Sequence, residues 1–253
     1  MLGYAYTFVP KADVDADVFA DALFDWILCM TNNGQMLYES TQVLHMPQGY
    51  VCRFIVPERE ALDRRWESVY VQKSRQALWS LCAAEPVCAE EGEALNQEDV
   101  CKCAHPSYRV LLVEGYVGAL PVYCGDCKAV VPLYRLPLAA GEEEYGHWVQ
   151  AWRETYQAFD QAWCCSLAGE RYTYRMLHAP SSELNAWGRE LAAQLEQRTG
   201  VPVYGFLLQW GRRNRSTCPV CGKEWRNYGT HADERYQYDY ICHDCRLVSN
   251  DPW

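Results

Sequence analysis

Eight of the fourteen cysteines in this 253-residue chain fall into four close pairs. Cys218 and Cys221 enclose Pro219 and Val220, Cys242 and Cys245 enclose His243 and Asp244, and the twenty residues 222–241 separate the two pairs. Thiolates are soft, charged donors, and four of them at this spacing are the ligand set of a closed, tetrahedral structural zinc site. Two residues between paired cysteines let a tight turn aim both sulfurs at one ion. The stretch between pairs is long enough for a short hairpin that brings the second turn opposite the first. Gly222, directly after Cys221, can take the positive φ that such a turn calls for. Four unrelated core cysteines would show neither the paired spacing nor the Pro and Gly flanks.

A second set repeats the plan: Cys101 and Cys103, then Cys124 and Cys127, again twenty residues apart. The first pair is tighter than usual, so both sulfurs meet one ion only from a sharp turn or an extended stretch. His105 is an alternative ligand there, because imidazole serves zinc as well as thiolate does. Tyr108–Gly115 and Val117–Tyr123 are expected to form a hairpin over the metal. Two Zn2+ sites per chain follow, one of them with the choice between His105 and a thiolate left open. Tyr123-Cys124-Gly125-Asp126-Cys127 also superficially resembles the aromatic-Cys-Gly-x-Cys sequence of thioredoxins. Redox chemistry of that kind wants its first cysteine at a helix N-terminus, which lowers the thiol pKa. Here Ala129–Tyr134 is strand-like and carries Pro132, so metal is the preferred reading over redox chemistry or plain core cysteines. Cys29, Cys52, Cys82, Cys88, Cys164 and Cys165 form no ligand pair and are assigned to the core.

The elements that must position these ligands are legible in part. Tyr4–Val9 alternates like a strand. Asp13–Met30 reads as a helix, with Phe19, Leu23, Trp26 and Met30 on one stripe and acids in the first turn. Met36–Met46 and Gly49–Val56 read as two strands around the Pro47-Gln48-Gly49 turn. Val69–Gln72 is expected to be a short strand before a helix over Ser74–Ala84, and Glu85–Val100 a loop. A helical block over Glu142–Leu167 places Trp148, Trp152, Thr155, Phe159 and Trp163 on one stripe, a core face rather than a base-stacking one. Ser182–Arg198 is a further helix, stopped by Gly200 and Pro202. Val201–Trp210 is a buried strand. The fold class is α+β: a mixed body with a zinc-bound hairpin inserted and a C-terminal four-cysteine zinc ribbon. The expected organisation is an N-terminal α+β region over 1–100, the first zinc-bound hairpin over 101–137, a helical region ending in a buried strand over 138–210, and the ribbon over 211–253.

Several stretches together resemble a bacterial family of uncharacterised zinc-ribbon proteins to which nucleic-acid binding is ascribed. They are Tyr123–Cys127 with Val131–Pro137, the helix end Arg198–Tyr204, and Cys218–Trp225. The resemblance covers residues from about 100 onward. It implies a ribbon holding metal through Cys218, Cys221, Cys242 and Cys245, and it brings no catalytic residues.

The formal charge is −10, and residues 212–253 carry seven Lys and Arg against six acids, which leaves −11 on everything before them. An acidic body repels nucleic acid, so a DNA or RNA site must be local. Arg212, Arg213, Arg215, Lys223 and Arg226 supply cations there, and Trp225 and Tyr228 supply rings for stacking, the composition of a single-strand platform. The competing reading gives those rings to the ribbon's own core and makes the protein an acidic docking or inhibitor-type partner of a basic protein, with zinc purely structural. An enzyme is the least favoured class. Both metal sites look closed, His147, His178 and His231 are isolated, and no nucleophile motif is present. The N-terminus lacks the basic start of a signal peptide and no apolar run reaches bilayer length, so a soluble, cytoplasmic protein without membrane contact is expected.

Overall fold

The structure, a computed structural model, describes residues 1–95, 98–113, 120–137, 145–165, 169–209, 216–226 and 238–250. It is a mixed α+β chain with two sheets, divided into two compact units. Met1–Val100 and Pro132–His147 make the first, Cys101–Val131 and Trp148–Trp253 the second.

The first unit runs β1 (Leu2–Phe8), α1 (Ala16–Asn32), β2 (Leu37–Met46), β3 (Gly49–Val56), α2 (Val69–Ser80) and β4 (Val87–Glu93). Its sheet has the order β2-β3-β1-β4, antiparallel throughout. This is the split β-α-β-β-α-β arrangement. Asp15 caps α1, its carboxylate accepting from the Asp17 and Val18 amides at 2.9 and 3.4 Å. Phe19, Leu23, Trp26, Ile27 and Met30 then bury one face against Tyr4, Phe8, Cys52 and Phe54 of the sheet. Tyr6, Phe8, Trp26 and Trp79 meet largely edge to face, with centroids 5.4–5.9 Å apart. The segment returning to this unit at Pro132 is anchored by Glu58, which accepts from the Tyr134 hydroxyl and pairs with Arg135.

Two expectations fail here for identifiable reasons. Val69–Gln72 is not a strand; it opens α2, because the Ser68 hydroxyl caps the Val71 amide and the β-branched pair is absorbed into a helix burying Val71, Ser74 and Leu78. Glu85–Val100 is not all loop. It contains β4, an edge strand with all seven residues exposed, so no apolar face marks it in the sequence.

The second unit holds β5 (Arg109–Leu111), β6 (Val122–Cys124), α3 (Tyr145–Cys164, from Trp148 on), α4 (Glu170–His178), α5 (Glu183–Thr199), β7 (Val203–Phe206), β8 (Tyr240–Cys242) and β9 (Leu247–Ser249). Its sheet has the order β6-β5-β7-β9-β8. The outer pairs are antiparallel, and β7 runs parallel to both β5 and β9. The two cysteine-bearing stretches are therefore the two ends of one sheet. α3 buries Val149, Trp152 and Tyr156, while Trp148 is 50% exposed, so the stripe lies one residue from the expected one. α4, unmarked in the sequence reading, packs on α5, and Ser182, the N-cap of α5, joins the two: its hydroxyl accepts from the Asn185 amide and donates to the Met176 carbonyl. Of the six cysteines assigned to the core, Cys52 and Cys82 are buried and Cys29 is half-buried. Cys88, Cys164 and Cys165 are exposed, a correction.

Candidate metal centres

Cys124 is the last residue of edge strand β6, and Cys242 the last residue of the opposite edge strand, β8. Each strand runs into a four-residue turn that ends on the second cysteine of its pair. Lys128, just after Cys127, and Arg246, just after Cys245, both take positive φ, at 66° and 50°. Gly222, after Cys221, takes 73°. At this position the chain must turn back so that both sulfurs face one way; a non-glycine residue pays about 1 kcal/mol or more for it.

The turns share their hydrogen bonds. The Lys128 amide donates to the Cys124 carbonyl at 3.0 Å and the Cys124 amide to the Ala129 carbonyl at 2.9 Å. The Gly222 amide donates to Cys218 at 2.9 Å and the Cys218 amide to Lys223 at 2.7 Å. The Cys124–Lys128 and Cys218–Gly222 turns thus share one hydrogen-bond pattern. Cys101 and Cys103 solve their tighter spacing differently. Cys101 is tied to the sheet through its amide, which donates to the Val130 carbonyl at 2.8 Å, and the Cys103 amide points at the Cys101 sulfur, 3.4 Å away.

The result is two four-sulfur clusters. Cys101, Cys103, Cys124 and Cys127 form centre 1; Cys218, Cys221, Cys242 and Cys245 form centre 2; within each, all sulfurs lie within 4.8 Å of one another. His105 is exposed and stands outside the four thiols of centre 1. The Cys221 and Cys242 sulfurs are 3.6 Å apart. That is far beyond a disulfide bond of about 2.05 Å. It is close to the edge of about 3.8 Å that four sulfurs bound at about 2.3 Å around a tetrahedral ion would share. In all four pairs the first cysteine is buried and the second more open. The clusters fit a metal ion and could form zinc sites.

Their electrostatics ask for a cation. In centre 2 the Lys223 amide, with help from the neighbouring thiols, holds the Cys221 thiol down at about 7, while burial pushes Cys242 up to about 11 and Cys245 above the usual thiol range. In centre 1, burial holds Cys101 up and the Cys127 and Cys124 thiols hold Cys103 up, to about 11. Burial opposes ionisation of Cys127 as well, yet the Ala129 amide and its three partner thiols keep it below the ordinary value. One thiol per cluster is thus poised to ionise first. Only a bound cation makes four adjacent thiolates affordable. Cys124 ends a strand and is followed by a turn, not a helix, so the geometry that activates a redox cysteine is missing.

Centre 2 is clamped to α5. Arg246 donates to both oxygens of Glu196, at 2.9 Å each for its closest contacts, and the Tyr204 hydroxyl meets His243 Nδ1 at 2.8 Å. A cleft of about 490 Å3 lies between α5 and this knuckle, lined by Arg189, Glu196, Asp244, Cys245 and Arg246 among others.

The residues proposed for nucleic-acid contact are not brought together as a platform among the described residues. Trp225 is 2% exposed and stacks on Tyr240 with centroids 5.3 Å apart, in a small core with Leu207, Cys218, Cys242 and Leu247. Its faces are used internally. Lys223 forms an ion pair with Asp244, and Arg226 is exposed. Arg212, Arg213, Arg215 and Tyr228 lie outside the described residues. His178 is structural: its Nδ1 lies 2.9 Å from the Leu208 carbonyl and its ring stacks on Tyr174; His231 lies outside the described residues. The knuckle repeat, Tyr123-Cys124-Gly125-Asp126-Cys127-Lys128 against Ile241-Cys242-His243-Asp244-Cys245-Arg246, is an internal likeness that the sequence itself carries.

No helix among the described residues is long and apolar enough to cross a membrane. Among solved structures, a putative antibiotic biosynthesis monooxygenase from Caulobacter crescentus is similar at 18% identity and a TM-score of 0.32, over 37% of this chain and 89% of that one. Rv0793 from Mycobacterium tuberculosis is similar at 16% identity and a TM-score of 0.28, over 37% and 94%. Scores this low bear on neither fold nor function. Two uncharacterized proteins of Haemophilus influenzae are similar in sequence. One is 26% identical over 81% of this chain and 79% of its own length, the other 27% over 64% and 80%. Residues 103–208 match a domain of unknown function, DUF2310, and residues 211–253 match a second, DUF8594. Each centre lies almost wholly in one of them, with Cys101 just outside the first match.

Proposed function

We propose that this is a non-catalytic zinc protein, in which two Zn2+ ions pin the two ends of one sheet and the rest of the chain docks a partner. The observation that carries the zinc reading is the convergence of four sulfurs to within 4.8 Å at each end. Four thiolates complete the tetrahedron of a Zn2+ ion and leave no position for water or substrate. Elemental analysis of the purified chain should give two zinc ions. One ion would remove Cys101, Cys103, Cys124 and Cys127 from the ligand set, and none would end the proposal.

Of the two partner classes weighed from the sequence, nucleic acid loses the stacking ring of Trp225, and a basic protein gains a surface. Residues 1–100 hold sixteen acids against seven Lys and Arg. On α1, Asp17, Asp21 and Asp25 stand in one exposed row, none of them in an ion pair among the described residues. Val18, Phe24 and Leu28, 50–55% exposed, lie beside them. Apolar side chains flanked by unpaired carboxylates suit a basic, amphipathic partner. Fluorescence anisotropy separates the readings. A helical Lys/Leu peptide should bind in a salt-dependent way and weaken when Phe24→Ser or Asp21→Asn is introduced. Single-stranded DNA and RNA should not bind the zinc-loaded chain at low salt. Nucleic-acid binding without peptide binding would reverse the choice.

A further inference from the structure

Arg109 lies opposite Cys124 in the β5–β6 pairing. The Gly125 amide donates to Tyr108 at 2.9 Å and the Leu112 amide to Pro121 at 3.0 Å, so the hydrogen-bonded pairs flank this one. Arg109 and Cys124 are therefore a non-hydrogen-bonded pair, the kind whose side chains stand closest on one face of the sheet. Cys124 is a member of centre 1. The Arg109 Nε and Nη1 atoms are buried and make no hydrogen bond. A guanidinium cannot shed its proton to escape burial, so two buried nitrogens whose N–H groups lack acceptors are costly unless a nearby negative charge compensates them.

A divalent ion held by four thiolates supplies it, since such a centre carries a net charge of −2. We propose that Arg109 is the charge-compensating residue of centre 1, donating its buried N–H groups to the thiolate sulfurs of the metal-loaded cluster and so tightening its hold on the ion. The inference rests on the zinc reading above. Of the other cations near the clusters, Lys102, between Cys101 and Cys103, is exposed, and three more are engaged elsewhere. Lys128 lies over the Tyr238 ring at 4.7 Å, Lys223 pairs with Asp244, and Arg246 pairs with Glu196. Centre 2 has no counterpart of Arg109 among the described residues with orphaned buried N–H groups.

Arg109→Met keeps the aliphatic stem and removes the charge; Arg109→Lys keeps the charge. In the full zinc-loaded chain, a competing chelator and a thiol alkylating reagent, with mass-spectrometric mapping of each labelled cysteine, report the two centres separately. Arg109→Met should weaken zinc at centre 1 by about 10–100-fold, the range for lost outer-sphere partners, and leave centre 2 unchanged. Arg109→Lys should recover most of the loss. With Co2+ in place of zinc, Arg109→Met should move the thiolate-to-metal charge-transfer band to lower energy, because a sulfur without its N–H donor is the better electron donor. Wild-type behaviour of Arg109→Met, equal damage by Met and Lys, or equal weakening of both centres would each overturn the role of Arg109. A chain that holds zinc at centre 2 and none at centre 1 would overturn the centre itself.

Discussion

At the scale of single residues, the knuckles show why their non-cysteine positions are restricted. Gly125 sits between Cys124 and Asp126 beneath the buried ring of Tyr108, and a Cβ there would fall 2.2–2.3 Å from three ring carbons. The ring has nowhere to retreat, since it packs edge to face on Tyr204 at 5.7 Å. Gly222 has open space but a φ of +73°. Gly125→Ala should therefore destabilise the second unit by about 1–3 kcal/mol through overpacking and loosen metal at centre 1. Gly222→Ala should cost only the backbone term, about 1–2 kcal/mol, at centre 2. Denaturant melts of the zinc-loaded variants, read with the cysteine labelling of each centre, check both; equal effects of the two on both centres would refute the distinction. The eight candidate ligands stand out because metal geometry writes itself into sequence spacing, and the structure draws them into two clusters. Trp225 was harder to place, because an aromatic ring among cations has the same composition whether it covers a small core or faces a base.

At the scale of elements, what could be read was whatever buried a periodic face. The stripe Phe19, Leu23, Trp26 and Met30 announces α1 because all four residues are inside. β4 could not be read, because an edge strand exposed on both faces is held by backbone bonds to β1 and leaves no pattern in its side chains. α2 was misread at its start because Ser68 decides the matter through one capping bond. The joining of both cysteine stretches in one sheet through β7 depends on pairings distant in sequence, which local pattern does not encode. One such long-range tie makes a pH-dependent prediction. Burial raises the Glu196 carboxyl, but the Arg246 guanidinium and the Val203 amide outweigh it and hold the group below the usual carboxylate value. A folded-state value below the unfolded one stabilises the fold above the unfolded carboxylate pKa of about 4.3, and that stabilisation is lost as pH falls through the folded value. The pair is partly solvent-exposed, so it is worth about 1 kcal/mol at most. The stability difference between wild type and Glu196→Gln should accordingly be present at neutral pH and shrink below about pH 4, measured by chemical denaturation with zinc in excess. A constant difference across that range would show that the pair does not act through charge.

At the scale of the whole molecule, the two units should depend on metal to different degrees if the proposed centres are loaded. The first has an uninterrupted core of Phe8, Phe19, Leu23, Trp26, Ile27, Phe54 and Leu78, and none of the eight candidate ligands belongs to it. In the second, Cys218 and Cys242 themselves belong to an apolar cluster with Leu207, Trp225, Tyr240 and Leu247. Both outer strands of its sheet are only three residues long. A structural zinc contributes on the order of 10–16 kcal/mol in small modules, so its removal should release β6 and β8 from the sheet while β5, β7 and α5 keep a reduced core. Chelation under reducing conditions followed by brief proteolysis should cut within 101–131 and 216–250 and spare residues 1–95. Hydrogen exchange on the same sample should rise first at Val122–Cys124 and Tyr240–Cys242 and stay low through α1. Loss of protection in α1 at the same chelator concentration would mean that the metal supports the whole chain as one cooperative body, and that the division of stability between the units is wrong.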